Sequence, residues 1–217
     1  MLKKEKIALL EYTTILSNSN LSVGTWGNIS IRKGEHVVIT PSGIPYDQTT
    51  IDDLVITNLY GDIVSGYKKP SSELAAHLAI YNNYKNWSAI VHTHSIFTSA
   101  YAAAHRSIPT LIEDHAQIIG GDIEVAQYAL PGTSELADNI VIALKDKSAL
   151  LLANHGLIAC GTSISEAFIT AEVAEKSAQI ALFTSQIGGG VPLSQADINI
   201  MRTNYLQVYK KLQESAK

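Results

Sequence analysis

The sequence predicts an α/β layered domain, with helices packed on a mixed β-sheet. Three observations carry this. Segments of strand-like composition alternate with segments of helical spacing, giving the order αββββαβαβαβ(β)αα. At 217 residues and 46% hydrophobic composition, the chain is long enough for one well-filled core and short for two full domains. No internal repeat or low-complexity linker divides it, so residues 1–217 are expected to form one domain.

The elements follow in order. Lys3–Leu16 places Ile7, Leu10 and Ile15 at helical spacing. Asn28–Arg32 and His36–Thr40 are β-rich and joined by Lys33-Gly34-Glu35, a hairpin-length connection. Leu54–Leu59 and Asp62–Ser65 repeat that pattern around Gly61. Pro70-Ser71-Ser72-Glu73 opens a helix to about Asn83, with Ser71 or Ser72 as its N-cap. Ala89-Ile90-Val91 is an apolar strand running straight into His92-Thr93-His94, and Phe97–Ala104 reads as a helix. Ile123–Tyr128 reads as a strand, and Thr133–Leu144 as a helix capped by Thr133. Ala149–Leu152 is a buried strand ending at Asn154-His155-Gly156. Ser163-Ile164-Ser165-Glu166 is a capping box before a long helix to about Gln186, which Gly188-Gly189-Gly190 ends. Ser194–Gln213 is expected as a final amphipathic helix.

Composition removes several function classes. With 16 basic and 20 acidic residues the formal net charge is −4, and no dense basic run exists, which argues against nucleic-acid coating. The single cysteine, Cys160, excludes an intramolecular disulfide framework and a multi-cysteine metal site; it reads as a small buried apolar residue. The apolar run Ile7–Leu10 stops at Glu11, too soon for a signal peptide. Ser88–Ala104 carries His92 and His94, each costly in a bilayer. A soluble cytoplasmic protein with no membrane partner is expected.

Three histidines sit where strands end: His92, His94 and His155. Residues i and i+2 of a strand point to one face, so His92 and His94 can aim two imidazoles at one point. A third histidine from another strand end completes the three-ligand, open-position geometry of a catalytic zinc site; two histidines hydrogen-bonded at a strand end is the plainer alternative. Glu73 fits equally a helix-start glutamate favoured by the dipole and a general base beside a metal. His77, one turn on, suits a supporting or packing role better than ligation. Gly24–Asn28, Thr40–Gly43 and Pro70–Ser72 each offer hydroxyls and backbone N–H groups at turns or a helix start, the ingredients of an anion nest. Beside a candidate metal site they suggest a small phosphorylated substrate. None matches a nucleotide-binding loop.

The segments G-T-W-G-N-I-S (24–30), T-P-S-G-I-P-Y (40–46), K-P-S-S-E (69–73), V-H-T-H-S (91–95), R-S-I-P (106–109) and N-H-G-L-I-A-C (154–160) together resemble the class II aldolase/adducin family. The blocks span nearly the whole chain in the family order. The resemblance implies a single three-layer domain with a central, largely antiparallel sheet between helices. It implies one Zn2+ per subunit on His92, His94 and His155, with Glu73 as the catalytic acid/base that also contacts zinc. It implies phosphate-binding pairs at Gly27 and Asn28, Ser42 and Gly43, and Ser71 and Ser72, with Thr25 at the same pocket. It implies a homotetramer with its sites at subunit interfaces. The implied reaction cleaves a ketose 1-phosphate reversibly to dihydroxyacetone phosphate and a small aldehyde such as lactaldehyde.

The sequence departs from the family's aldolases in one place. Where they carry a catalytic tyrosine from a neighbouring subunit, Leu111-Ile112-Glu113-Asp114-His115 stands, leaving Glu113, Asp114 or His115 as alternative acids, or none. Tyr205 and Tyr209 match the family's C-terminal tyrosine only loosely. Related activities on the same scaffold are a 4-epimerase of L-ribulose 5-phosphate, whose motif resembles P-S-S-D rather than Pro70-Ser71-Ser72-Glu73, an aldolase for 5-deoxyribulose 1-phosphate and a methylthioribulose-1-phosphate dehydratase. A non-catalytic adducin-like binding module lacks the metal histidines, which are all present here. Trp26 and Trp87 carry no specific message at this level.

Overall fold

The computed structural model describes residues 1–210. Eight strands form one sheet: β1 (Asn28–Lys33), β2 (His36–Ile39), β3 (Val55–Asn58), β4 (Ile63–Ser65), β5 (Ala89–Thr93), β6 (Val125–Ala126), β7 (Ala149–Leu152) and β8 (Gly156–Gly161). Their spatial order is β4-β3-β2-β1-β5-β8-β7-β6, antiparallel throughout except for the parallel β6–β7 pair. Seven α-helices accompany it: α1 (Lys3–Ser17), α2 (Leu74–Asn83), α3 (Ile96–Ala103), α4 (Glu113–Ile118), α5 (Ser134–Leu144), α6 (Ile164–Ser185) and α7 (Gln195–Asn204), the last continuing into a π-helical stretch, Tyr205–Tyr209.

Strand alternation sorts the core into two clusters, one on each face of the sheet. Val38, Val91, Leu151, Leu157 and Ala159 join Leu9, Ala102 and Phe168 of α1, α3 and α6. Their neighbours Val37, Ile90, Leu150, Ile158 and Cys160 join Tyr81 and Ile140 of α2 and α5. This is the expected three-layer arrangement. In α6, Ala167, Ala171, Ala174, Ala178 and Ala181 are buried at alternating spacings of four and three, a stripe of small side chains that lets the helix lie close on the sheet. Among the described residues no helix is long and apolar enough to cross a membrane.

Thr133, Ser163 and Ser194 cap α5, α6 and α7 through their side-chain oxygens. Four local expectations need correction. Neither Ser71 nor Ser72 is the N-cap of α2: Glu73 holds that position, and the Ser71 hydroxyl accepts its N–H at 3.2 Å. Glu166 does not reach back to Ser163 as in a capping box but accepts from the N–H and hydroxyl of Thr162. The 123–128 segment gives only a two-residue strand, because Ile123 is spent on a bridge to Ile108 and the Gln127 carbonyl is taken by the Asn139 amide. Helix α4 is additional, and its six residues are too few to show a period in sequence. The end of the helix expected to reach Gln213 lies outside the described residues.

Candidate metal centre

Three adjacent central strands converge at one end of the sheet. In the register, Asn28 of β1 lies opposite His92 of β5, and His92 lies opposite Ile158 of β8. His92 alternates with Val91 and so points to the α2 side. His94 lies just beyond β5, and His155 occupies the turn between β7 and β8. Two glycines permit the approach. A side chain on Gly27 (φ +92°) would bring its Cβ within 2.5 Å of the His92 carbonyl oxygen, and one on Gly156 would overlap the Thr93 carbonyl. Asn154 takes the left-handed conformation (φ +55°) that turns His155 inward, and its side-chain oxygen accepts a hydrogen bond from His105 Nε2.

The result is a triangle of imidazoles with ring centroids 4.8 Å apart for all three pairs, at near-perpendicular angles. One ligand atom from each lies within 4.8 Å of the others, and the His92 and His94 Nε2 atoms are 3.0 Å apart. Glu73 closes the group, with Oε2 3.0 Å from His92 Nε2 and Oε1 2.9 Å from His155 Nε2. These residues fit a divalent cation. A tetrahedral zinc with bonds of about 2.0–2.1 Å separates its nitrogens by about 3.3 Å, close to the observed spacing. The tautomer is also suitable: His92 Nδ1 lies 2.8 Å from the Leu157 carbonyl, so Nδ1 carries the hydrogen and the Nε2 lone pair faces the centre.

Without a cation, burial and the Glu73 contacts set the charges of this group. Burial disfavours the Glu73 carboxylate, but the His92 and His155 imidazoles outweigh it and hold the group far below the ordinary carboxylate range. Burial, together with repulsion from His92 and His155, pushes His94 down to about 3, leaving it neutral and able to ligate. For His92 the opposing effect of Glu73 prevails over burial, and its pKa is raised.

A cavity of about 440 Å³ opens from this centre. Its wall contains Glu73, His94 and His155 together with all six expected phosphate-binding residues, Gly27, Asn28, Ser42, Gly43, Ser71 and Ser72, and also Thr25. His92 lies fully buried beneath them. Among the described residues no lysine or arginine lines the cavity, so an anion there would be held by hydroxyls, backbone N–H groups and the start of α2. The Ser42 and Ser71 N–H groups are already given to the Lys69 and Thr40 carbonyls, so these serines offer hydroxyls. The Asn28 side-chain amide is engaged by Glu73 and His77, and its backbone is paired with His92 in the sheet.

The segment expected to supply a second acid lies elsewhere. His115 is fully buried with Nε2 on the Gly121 carbonyl, and Asp114 is paired with Lys176. Glu113 is exposed at the start of α4 and has no bonded partner among the described residues. None of the three lines the cavity of its own chain. Tyr205 is buried near Arg202, and the Tyr209 side chain lies outside what is described. Trp26 gains a place in the site that the sequence did not disclose, and His77 takes the supporting position expected of it. Trp26, 65% exposed, lines the cavity with its ring centroid 5.8 Å from that of His94. His77 is fully buried and bonded to Asn28; only its one-turn spacing from Glu73 signalled it.

Comparison with known proteins agrees with this geometry. Residues 7–182 match the Class II Aldolase and Adducin N-terminal domain. The chain is 40% identical over 190 residues to the 5-deoxy-D-ribulose 1-phosphate aldolase of Bacillus thuringiensis serovar kurstaki, covering 87% of this chain and 89% of that one. It is 35% identical over 216 residues to the L-fuculose phosphate aldolase of Escherichia coli K12, covering 98% and 100% respectively. A solved L-fuculose 1-phosphate aldolase superposes with a TM-score of 0.92 at 32% identity, over 95% of this chain and 98% of that one. The chain belongs to the class II aldolase and adducin family, and within it to the aldolases, which are lyases.

Proposed function

We propose that this protein is a zinc-dependent aldolase that reversibly cleaves a ketose 1-phosphate, of the L-fuculose 1-phosphate or 5-deoxyribulose 1-phosphate kind, to dihydroxyacetone phosphate and a small aldehyde. One observation carries the reading: three imidazoles and a carboxylate converge at the floor of a cavity ringed by hydroxyls and turn N–H groups. His92, His94 and His155 would hold the cation, with Glu73 against it. When bound, zinc supplies Lewis-acid stabilisation of the negative charge that carbon–carbon cleavage leaves on the phosphate-bearing fragment. Ser42, Ser71, Ser72 and the Gly27 and Gly43 backbone hold the phosphate, which fixes the reacting end against Glu73. Glu73 moves the proton on that fragment, a service worth about 10²–10⁴-fold.

The aldehyde side needs a second acid. We assign it to Glu113 of a neighbouring copy in a homotetramer, because Asp114 and His115 are engaged elsewhere. Two relatives of similar likeness bear names that differ in the sugar, so the aldehyde is the open variable. Assays in the aldol direction, with dihydroxyacetone phosphate and glycolaldehyde, lactaldehyde, acetaldehyde or methylthioacetaldehyde, decide it. Cleavage that releases dihydroxyacetone phosphate, lost with chelator and in Glu73→Gln, is the expected result. Turnover of a pentulose 5-phosphate with no triose phosphate released would instead identify an epimerase, and full activity without metal would refute the mechanism.

A further inference from the structure

Behind the cavity, five polar side chains form one file between α2 and β1. Glu73, His77 and Tyr81 recur every four residues on one stripe of the helix start and helix; Asn28 and Ser30 recur every two on the facing strand. Four helical residues advance about 6 Å and two strand residues about 6.7 Å, so the two stripes stay in step. The file closes with short hydrogen bonds. Asn28 Nδ2 donates to Glu73 Oε2 at 2.9 Å, and Asn28 Oδ1 is 2.6 Å from His77 Nε2. His77 Nδ1 is 2.6 Å from Ser30 Oγ, which is 2.7 Å from the Tyr81 hydroxyl. At the far end, Arg32 donates to the Tyr81 carbonyl and lies 5.3 Å from its ring centroid.

We infer that His77 is a positioning residue for Glu73: its Nε2–H holds the Asn28 amide with the NH2 end against the carboxylate. The inference rests on Glu73 being the acid/base. The two ends of an amide have nearly the same shape, so packing alone does not choose between them; hydrogen-bond partners do. A carboxylate accepts only, so Asn28 must turn its NH2 to Glu73 and its oxygen to His77. That oxygen needs a donor, so His77 must carry its hydrogen on Nε2. Its Nδ1 then accepts from Ser30, and Ser30 accepts from Tyr81. Every donor in the file points toward Glu73. The file thus holds one carboxylate oxygen in a fixed direction while bonding to none of the three metal-site histidines. A reversed amide would set oxygen against the carboxylate in a buried site, a cost of the kind borne by unsatisfied polar groups.

The test compares His77→Leu, His77→Gln and Glu73→Gln in the zinc-loaded enzyme. Glutamine can both donate to Asn28 and accept from Ser30; leucine can do neither. His77→Leu is expected to lower kcat about 10–100-fold, the range for lost partners of metal-site groups, with zinc content and the KM for dihydroxyacetone phosphate unchanged. His77→Gln is expected to restore most of that loss. Equal kcat in His77→Leu, or equal impairment in both variants, would overturn the inference. Nitrogen-15 spectra of the wild-type holoenzyme give a second readout that survives if His77→Leu fails to fold. They should show the His77 ring as the neutral Nε2–H tautomer, and the Nδ1–H tautomer would overturn the inference. Full activity in Glu73→Gln would remove the base itself. An inactive Glu73→Gln beside a fully active His77→Leu would remove only the role of His77.

Discussion

The two sides of the cavity are built differently. The metal side stands on the ends of β1, β5 and β8 and the start of α2, with His92 buried, His94 and His155 partly so, and each ring located by strand register or a tight turn. The rim consists of loop groups such as the exposed Trp26, and segment 111–115 does not line the cavity of its own chain. The metal and phosphate groups of the proposed reaction thus all lie on one chain, whereas the aldehyde side is the part proposed above to depend on the rim and a second copy. Substitutions on the first side should remove activity outright; those on the second should redistribute it among substrates.

The largest effect is expected from His155→Ala or His92→Ala. Losing the several kcal/mol of charge stabilisation that a bound cation supplies corresponds to about 10³-fold or more in kcat, checked by steady-state assay together with zinc content. Gly156→Ala tests the scaffold beneath. Its Cβ would collide with the Thr93 backbone and displace the end of β5, so a stability loss of about 1–3 kcal/mol in urea unfolding is expected, together with reduced zinc affinity.

A pH experiment sharpens the account of the buried side. Burial, reinforced by His92, lowers the His77 pKa from 6.5 to about 3. Between those values the unfolded chain binds a proton that the folded chain does not, so His77 makes stability rise with pH across this window and fall as pH drops below about 6.5. Urea midpoints from pH 4 to 7, measured with chelator present, should show a shallower slope in His77→Gln than in wild type.

Rim substitutions other than at the proposed acid Glu113 should do least. Glu113→Gln is expected to slow turnover while zinc content and the single-chain fold remain unchanged. Trp26→Ala is expected to change relative kcat/KM between acetaldehyde and glycolaldehyde by about tenfold, as a lost apolar contact would. An equal fall for both aldehydes would show that Trp26 supports His94 instead of contacting substrate.

The same division governs what was legible in the sequence. His92 and His94 were readable because strand alternation is local, and His155 because a polar Asn-His-Gly turn follows an apolar strand. The layered α/β class follows from alternating patterns, and the three-layer, largely antiparallel arrangement from the family resemblance. Glu73 reads in sequence as a helix-start residue behind two serines that look like better caps; its observed cap position depends on Ser71 folding back onto its N–H. The partnership of His77 with Asn28 pairs residues 49 positions apart, which no local period encodes. Trp26 was silent because the exposure of a loop residue is set by what surrounds it in three dimensions. The second acid stays ambiguous because segment 111–115 does not line the cavity of its own chain, and no local pattern says what it faces.

X-ray absorption at the zinc edge on stoichiometrically loaded protein tests the central claim most directly. One zinc per chain with three imidazole nitrogens and the remaining donors oxygen is the predicted result, and binding should be lost in His94→Ala. Sulfur in the coordination shell, substoichiometric zinc, or undiminished binding in that variant would contradict it.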